Sequence, residues 1–506
     1  MKQLVVILAL SISISCQQTT PQTEYLGIVN IEISGKQTAL PHFEKGLLLL
    51  HSFEYDDARE AFLKAQDLDS NMPMAYWGEA MTYNHSLWGE QDYEEGIAAL
   101  VHLDKIDLKE SATELEQDFI KAVKVLYQPK TEKVDRDVAY SKFMEGLSEK
   151  YPTNHEIAAF YAISLLGSVP EGRDDVLYGK GAKIAQGILK ENPNHPGALH
   201  YLIHSYDDPD HATLALDAAN AYAKVAPDAS HALHMPSHIY VAMGMWDEVI
   251  SSNINSYQAS LHRMERKKLD NDARGYHAYH WLEYGYLQKG NQEEAKKMVL
   301  EMQEFAADKP SKRARVHLVF LKGTYLVGTD EWEDEIANIP VDVTDLNISI
   351  RSQFQFLEGM KAYKRGSLKQ LDSIIKVMDN DSKRESFVAA AGNAKLCSGA
   401  SRDQANETDI IEAKIRQDQL QGLAATLEKN MTLAEDYFQK SIALQESISY
   451  SYGPPHIQKP TRELYADWLL SQQRNEEAAQ QYELSLKTAP KRRLALQGIE
   501  RAKEVL

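Results

Sequence analysis

The chain has 506 residues, of which 43% are hydrophobic and 25% are charged, and its formal net charge at pH 7 is -19. A chain of this length exceeds what one compact core can organise, so several domains or an array of repeats is expected. The acidic balance argues against nucleic acid as a partner, because a strongly negative protein repels the phosphate backbone.

The first residues, 1–15, contain one lysine followed by an apolar run too short to span a membrane, which predicts a secretory signal. Cys16 follows directly and precedes a polar stretch rich in Thr and Gln. This arrangement resembles the signal of bacterial lipoproteins, with Ser13 standing where an aliphatic residue is usual. The resemblance implies that Cys16 is lipidated and that the protein is exported to the cell envelope, with the outer membrane expected. Residues 16–38 would then form a polar tether.

From Leu40 onward the apolar residues recur with helical periodicity almost to the end of the chain, which predicts an all-α protein. His200 and His204 form an HxxxH motif that returns 34 residues later as His234 and His238 (200 to 234, 204 to 238). Thirty-four residues is the period of the tetratricopeptide repeat (TPR), a helix–turn–helix unit that stacks into a superhelix. The spacing therefore predicts an α-solenoid of TPR units.

Small and aromatic residues recur at the positions where TPR helices cross closely. A small residue is followed sixteen positions later by an aromatic one in several units, as in Gly46 with Phe62 and Gly422 with Phe438. We expect two repeat blocks, an N-terminal one over 39–308 and a C-terminal one over 351–506. An irregular connection over 309–350 would join them.

Histidines dominate the candidate functional residues. Residues four apart share one face of a helix, so each HxxxH pair should lie at the same height on neighbouring helices. The resemblance to TPR proteins, in which these helix positions line the concave groove, implies that both pairs and Glu79 face one cavity. Imidazole binds transition metals, and Zn, Cu and Fe all tolerate it. The candidate metal ligands are His200, His204, His234, His238, His277, His280, His85 and Glu79.

Two other interpretations of the histidines stay open at this point. They could form a buried hydrogen-bonded network with nearby tyrosines, with no ligand involved. They could instead line a polar groove that binds a peptide or a sugar. His231 could join the cluster or cap its helix. Asp207 and Asp208 could add carboxylate ligands, although a solvated turn is the more common role of such a sequence.

Several sequence blocks together resemble a family of exported bacterial TPR proteins that carry them in this order. The blocks are Tyr76–Met81 with His85 and Trp88, His200–His204, His234–Ile239, Tyr276–His280 and Tyr452–Pro455. The resemblance covers nearly the whole mature chain, and His-Met-Pro-Ser-His-Ile is its most specific part. It implies an all-α solenoid with a histidine-bearing groove, and it implies no particular reaction or substrate.

Two functions are compatible with these features. The first is a lipid-anchored TPR scaffold that binds a protein or peptide in its concave groove, as an accessory to nutrient or polysaccharide acquisition. The second is a metal-dependent enzyme that uses the histidine cluster to activate water or dioxygen. The sequence favours the scaffold, because it contains neither HExxH nor CxxC, the common catalytic and structural zinc motifs.

Overall fold

The computed structural model describes residues 25–392 and 405–504, and over these residues the protein is an all-α solenoid, as the sequence predicts. Most helices pack antiparallel to their sequence neighbours, as expected of helix–turn–helix repeats. The first part contains the helices α1 Leu40–His51, α2 Tyr55–Leu68, α3 Pro73–Met81, α4 Tyr93–Leu103, α5 Leu108–Ser111, α6 Glu114–Leu126, α7 Lys133–Lys150, α8 His155–Gly167, α9 Asp175–Glu191, α10 Pro196–Ser205, α11 Leu216–Val225, α12 Ser230–His234, α13 Pro236–Met243 and α14 Trp246–Lys267.

The second part continues the same pattern of paired helices. It contains α15 Tyr276–Gln288, α16 Gln292–Asp308, α17 Lys312–Thr329, α18 Ile348–Lys364, α19 Leu368–Gly392, α20 Glu407–Leu427, α21 Met431–Ser447, α22 Thr461–Ser471, α23 Asn475–Thr488 and α24 Arg493–Glu504. Two short strands, β1 Asn84–His85 and β2 Glu90–Gln91, form a small antiparallel hairpin between α3 and α4. Among the described helices, none combines the length and the apolar character that a membrane span requires.

Glycine and aromatic residues hold neighbouring helices together at close crossings. Gly46 of α1 and Gly78 of α3 both face the ring of Phe62 of α2, which is fully buried. A Cβ atom added to Gly78 would lie 2.4 Å from the Phe62 ring, and one added to Gly46 would lie 2.7 Å from it. The crossing recurs in the C-terminal part, where a Cβ on Gly422 would lie 2.8 Å from Phe438. The predicted pairing of small and aromatic positions is therefore the actual contact between helices.

We expect Gly78→Ala to lower the free energy of unfolding by about 1–3 kcal/mol, because the added methyl group overpacks the Phe62 ring. Gly146→Ala in α7 is the matched control, since a Cβ there meets nothing within 4 Å. The control should stabilise the helix by about 0.5–1 kcal/mol. Urea unfolding followed by circular dichroism measures both changes. Equal effects of the two substitutions would contradict the tight crossing at Gly78.

The buried apolar residues form two large cores that meet at α14 and α15. One core runs from Leu26 to Tyr284 and the other from Tyr257 to Ala495. The predicted irregular connection over 309–350 does not separate them. Its first half is the long helix α17, because Leu318, Val319, Leu321 and Leu326 of this segment are buried against its neighbours. The prediction of an irregular segment there was wrong for 312–329.

The predicted tether lies partly outside the described residues, as do the signal at 1–15 and Cys16. Its described part, residues 25–38, is packed onto the helices and is not a free linker. Leu26 is buried, and the backbone N–H of Ile28 donates to the carbonyl of Asn194 at 2.9 Å. The backbone N–H of Ser34 donates to the Glu116 carboxylate at 2.7 Å. A buried leucine and these hydrogen bonds anchor the segment to α6 and α10.

Candidate metal centre

Six histidines form a continuous row, which we call the histidine belt: His200 and His204 of α10, His231 and His234 of α12, His238 of α13 and His277 of α15. Neighbouring rings in the row are in contact. The distances between ring centroids are 5.0 Å for His231–His200, 4.9 Å for His200–His204, 5.3 Å for His204–His238, 5.1 Å for His238–His234 and 4.6 Å for His234–His277. The 34-residue spacing produces this alignment, because equivalent positions of consecutive repeats lie side by side.

The Nδ1 atoms of four buried belt histidines have hydrogen-bond acceptors from the protein. His200 Nδ1 donates to the backbone carbonyl of His51 at 2.7 Å. His234 Nδ1 donates to the side-chain oxygen of Asn253 at 2.7 Å, and the Asn253 amide is oriented by its own donation to the Val249 carbonyl. A carbonyl or amide oxygen can only accept, so each of these two rings carries its proton on Nδ1.

One carboxylate holds the other two buried rings. Asp207 Oδ2 lies 3.3 Å from His204 Nδ1 and 3.2 Å from His238 Nδ1, so both imidazoles donate to the same oxygen. Arg173 lies 3.6 Å from the other oxygen of Asp207 and balances its charge. Asp207 thus connects α10 and α13 behind the belt.

With the proton on Nδ1, the Nε2 atom of each of these four rings carries a lone pair that can accept a hydrogen bond or bind a metal ion. In the described part of the chain, the Nε2 atoms of His204, His234 and His238 are buried and have no hydrogen-bond partner. His200 Nε2 accepts from His231 Nε2 at 3.2 Å. A ring held at Nδ1 with a bare Nε2 is the arrangement in which proteins present histidine to a metal ion.

Lowered pKa values keep the imidazoles of His200, His231, His234 and His238 neutral at physiological pH. Burial lowers the pKa of His200, His231 and His238 well below the ordinary value, and the neighbouring histidines lower it further. Burial also lowers the pKa of His234 to about 4, although the bond to Asn253 opposes this shift. Metal ions bind only the neutral imidazole, so these rings are ready to act as ligands without losing a proton.

The belt divides into two sets of three possible ligand atoms, each set lying within 4.8 Å of one another. The first triplet is His200, His204 and His231, and the second triplet is His234, His238 and His277. One member of each reaches solvent: His231 is half-buried and His277 is exposed. The remaining members are buried.

Aromatic side chains surround the belt. Trp281 packs on His234 and His238, with ring centroids 4.7 Å from both, and Phe53 lies 4.3 Å from His200. Tyr452, from the segment between α21 and α22, packs on His238 at 4.7 Å. The next residue, Gly453, has a φ of +94°, and a Cβ there would lie 2.2 Å from the Trp281 ring. Glycine is therefore needed for this segment to reach the belt.

A second histidine cluster provides an internal comparison. Glu156 is fully buried between two histidines, accepting from His51 Nε2 at 2.7 Å and from His195 Nε2 at 3.1 Å. His51 Nδ1 bonds the Tyr201 hydroxyl, and His195 Nδ1 accepts from the backbone N–H of Ala198. Every ring nitrogen here has a protein partner, which marks this cluster as a structural network. In the described part of the belt, three buried ring nitrogens have no such partner.

The structure brings five of the eight predicted ligands together, namely His200, His204, His234, His238 and His277. The other three lie apart from both triplets. His280 bonds the Thr324 hydroxyl at 2.9 Å, and Glu79 accepts from Gln66 at 2.7 Å. His85 stacks on Tyr55 and bonds the Thr82 carbonyl.

Two residues that the sequence left open belong to the site, and others had no sequence signal at all. His231 stands one helical turn before His234, and this spacing was its only indication. Asp207 is a buried hydrogen-bond acceptor and not part of a solvated turn. Phe53 and Asn253 come from distant parts of the chain and carry no motif, whereas Tyr452 belongs to a block that the family resemblance includes.

No protein-family model and no curated protein matches this sequence. Among solved structures, yeast Tom70 aligns at 12% identity over 92% of this chain and 88% of its own, with a TM-score of 0.34. Cut9 in its complex with Hcn1 aligns at 13% identity over 96% and 79%, with a TM-score of 0.37. Human IFIT1, solved with m7Gppp-AAAA, aligns at 12% identity over 94% and 91%, with a TM-score of 0.34. Scores this low carry no argument about function, and the fold assignment rests on the helices described above.

Proposed function

We propose that the histidine belt binds transition metal and that the protein is a metal-dependent enzyme. The observation that carries this proposal is the set of three buried Nε2 atoms without partners, on His204, His234 and His238 of the described chain. Each unsatisfied buried nitrogen costs about 1–3 kcal/mol, and bound metal would supply the missing partners. Zn, Cu and Fe are the elements that this ligand type suits.

The alternative of a purely structural network fits the belt poorly. A network selected for stability satisfies its buried nitrogens, as the His51, Glu156 and His195 cluster does. The belt instead holds Nδ1 of His204, His234 and His238 and leaves the buried Nε2 of these three rings without a partner in the described chain. Sets of three protein ligands leave a coordination position for water or substrate, which is the pattern of catalytic and not structural metal sites. His231 is half-buried and His277 is exposed, so small molecules can reach the belt from solvent at these two histidines.

Metal analysis of full-length protein purified without a polyhistidine tag tests the proposal. We expect stoichiometric metal in the native protein and less than about a tenth of it in the His204→Ala/His238→Ala double variant, since loss of a ligand exceeds the 10–100-fold effect of a lost supporting residue. His262→Ala, an exposed histidine of α14, is the control and should keep its metal. A metal-free native protein, after reconstitution with Zn, Cu and Fe has been tried, would contradict the proposal.

A partner-binding role of the scaffold is a second proposal. Stacked helical repeats form extended concave surfaces, and such folds are typical of protein interaction modules. A peptide lying in the groove would meet His231 and His277, the two belt histidines that reach solvent. The protein's role as an accessory in nutrient or polysaccharide acquisition would follow from its attachment at the cell envelope. Binding of a peptide that persists in the metal-free double variant would support this function over the enzymatic one.

We also propose that the chain is exported and held at a bacterial envelope membrane through lipidated Cys16. The support is the leader at 1–15 and the cysteine that follows it. Cys16→Ser should move the protein from the membrane fraction to the soluble fraction of expressing cells. Ser15→Ala is the control and should leave it in the membrane fraction. A Cys16→Ser variant that stays with the membrane would contradict lipid anchoring.

A further inference from the structure

We infer that the belt is a two-ion site that holds a pair of copper ions, one in each triplet. This inference rests on the proposed metal binding and specifies how many ions are bound and which element. The starting observation is that the two triplets share no histidine, although they adjoin at His204 and His238.

The distances argue for two ions and against one. Ligand nitrogens on one ion at about 2.0–2.1 Å lie roughly 3.4–4.2 Å from one another. Within each triplet the ligand atoms already lie within 4.8 Å, so small ring movements would close either shell. In the described chain His204 forms a set within 4.8 Å with His200 and His231, and His234 and His238 form one with His277. Among the described residues, the one set that combines His204 with His238 is completed by Asp207.

Asp207 links the two triplets without belonging to either all-histidine set. It accepts from Nδ1 of His204, a ligand of the first ion, and from Nδ1 of His238, a ligand of the second. Both rings therefore direct Nε2 away from the same carboxylate, one toward each ion. Such a partner orients its histidine and raises its basicity, so Asp207 is a positioning residue for both ions at once.

Charge and ligand type select copper. Both triplets offer neutral imidazole alone, whereas Mg, Ca and Mn prefer oxygen ligands and non-haem Fe(II) oxygenase sites include a carboxylate. In its divalent form, copper binds nitrogen ligands more tightly than zinc does. The surroundings are aromatic, and the nearby Asp207 is already shared with Arg173, so little negative charge offsets the ions. Burying ions is less costly when each carries a single charge, which favours copper in its reduced, monovalent form.

Anaerobic titration of the full-length, untagged protein with Cu(I), in competition with a chromophoric Cu(I) chelator, tests the inference. We expect two ions per chain. His231→Ala and His277→Ala each remove one ligand from one triplet, and because both side chains reach solvent the fold should tolerate them. Each variant should keep one tight site and weaken the other at least tenfold. His262→Ala should keep both.

Asp207→Asn supplies a second readout that a role in folding alone would not give. It should weaken both sites together, by about 10–100-fold, while the thermal unfolding of the copper-free protein confirms that the variant is folded. By contrast, His231→Ala should leave copper binding by the second triplet unchanged, and His277→Ala should leave copper binding by the first triplet unchanged.

The possible failures are distinguishable. A protein that takes up no metal overturns both this inference and the proposed metal binding. One ion per chain, lost equally in the His231→Ala and His277→Ala variants, overturns the pair but leaves metal binding standing. Two tight sites for Zn(II) together with no retention of Cu(I) against the chelator overturn the choice of copper.

Discussion

Glu156→Ala is expected to lower the free energy of unfolding by about 2–6 kcal/mol, because each of two buried ring nitrogens loses its acceptor at a cost of about 1–3 kcal/mol. Glu156 is fully buried on α8 and joins His51 of α1 to His195, the residue that caps α10. Burial alone would raise the pKa of its carboxyl, but the two imidazoles outweigh burial and hold the pKa well below its usual value. Removing it leaves two buried ring nitrogens without an acceptor.

Glu191→Ala is the matched control, since it also removes a glutamate bonded to a histidine. Glu191 lies 3.1 Å from His155, but its side chain is 74% exposed, so the loss should not exceed about 1 kcal/mol. Urea unfolding followed by circular dichroism compares the two variants. Similar losses from both would show that the buried network contributes no more than a surface pair.

The effect of Glu156 extends to the proposed metal site through the backbone. His51 bonds Glu156 with its side chain and accepts from His200 Nδ1 with its carbonyl oxygen. A Cβ on Gly197 would lie 2.4 Å from the His51 ring, so α10 approaches α1 closely at this point. The structural cluster therefore fixes the orientation of one ligand in the first triplet.

The fold could be predicted from the sequence because a repeat encodes its packing locally. The 34-residue spacing of His204 and His238 and the pairing of Gly46 with Phe62 each report contacts between helices of the same or adjacent units. The boundary over 309–350 was mispredicted because a charged, proline-containing start hid the apolar face of α17. Helix periodicity within 312–329 was present but irregular, since buried Lys322 interrupts it.

The candidate site could be predicted only in part. Spacing alone placed four belt histidines, His200, His204, His234 and His238, on one surface, because equivalent repeat positions must align. The acceptors of their Nδ1 atoms could not be predicted, since His51 and His200 are 149 residues apart and meet only through the curvature of the solenoid. The contact of Tyr452 with His238 likewise depends on how the C-terminal helices return to α15. Without these contacts one cannot say which nitrogen of each ring carries the proton, nor which nitrogen is free to bind a metal ion.

A buried ionic cluster in the C-terminal part should make stability depend on acid. Glu463 of α22 is fully buried, and it accepts from Arg492 Nε at 2.7 Å and from Lys459 Nζ at 2.8 Å. Arg492 also donates to the Tyr284 hydroxyl of α15 at 3.2 Å. The cluster thus connects the last helices to α15, which carries His277. Burial would raise the pKa of Glu463, but Arg492 and Lys459 outweigh it and lower the pKa to about 2.

Because the pKa of Glu463 falls from 4.5 in the unfolded chain to about 2 in the folded one, its contribution is fully present above pH 4.5 and is lost as the pH falls through 2. At 1.36 kcal/mol for each pKa unit, the contribution is about 3 kcal/mol. We expect Glu463→Gln to be less stable than the native protein by this amount at pH 7 and to approach it near pH 2. Glu477→Gln, whose side chain is 52% exposed beside Arg474, should stay within about 1 kcal/mol of the native protein throughout. Urea unfolding at steps between pH 7 and pH 2 measures the three curves, and a Glu463→Gln curve parallel to the native one would show that this carboxylate does not link protonation to folding.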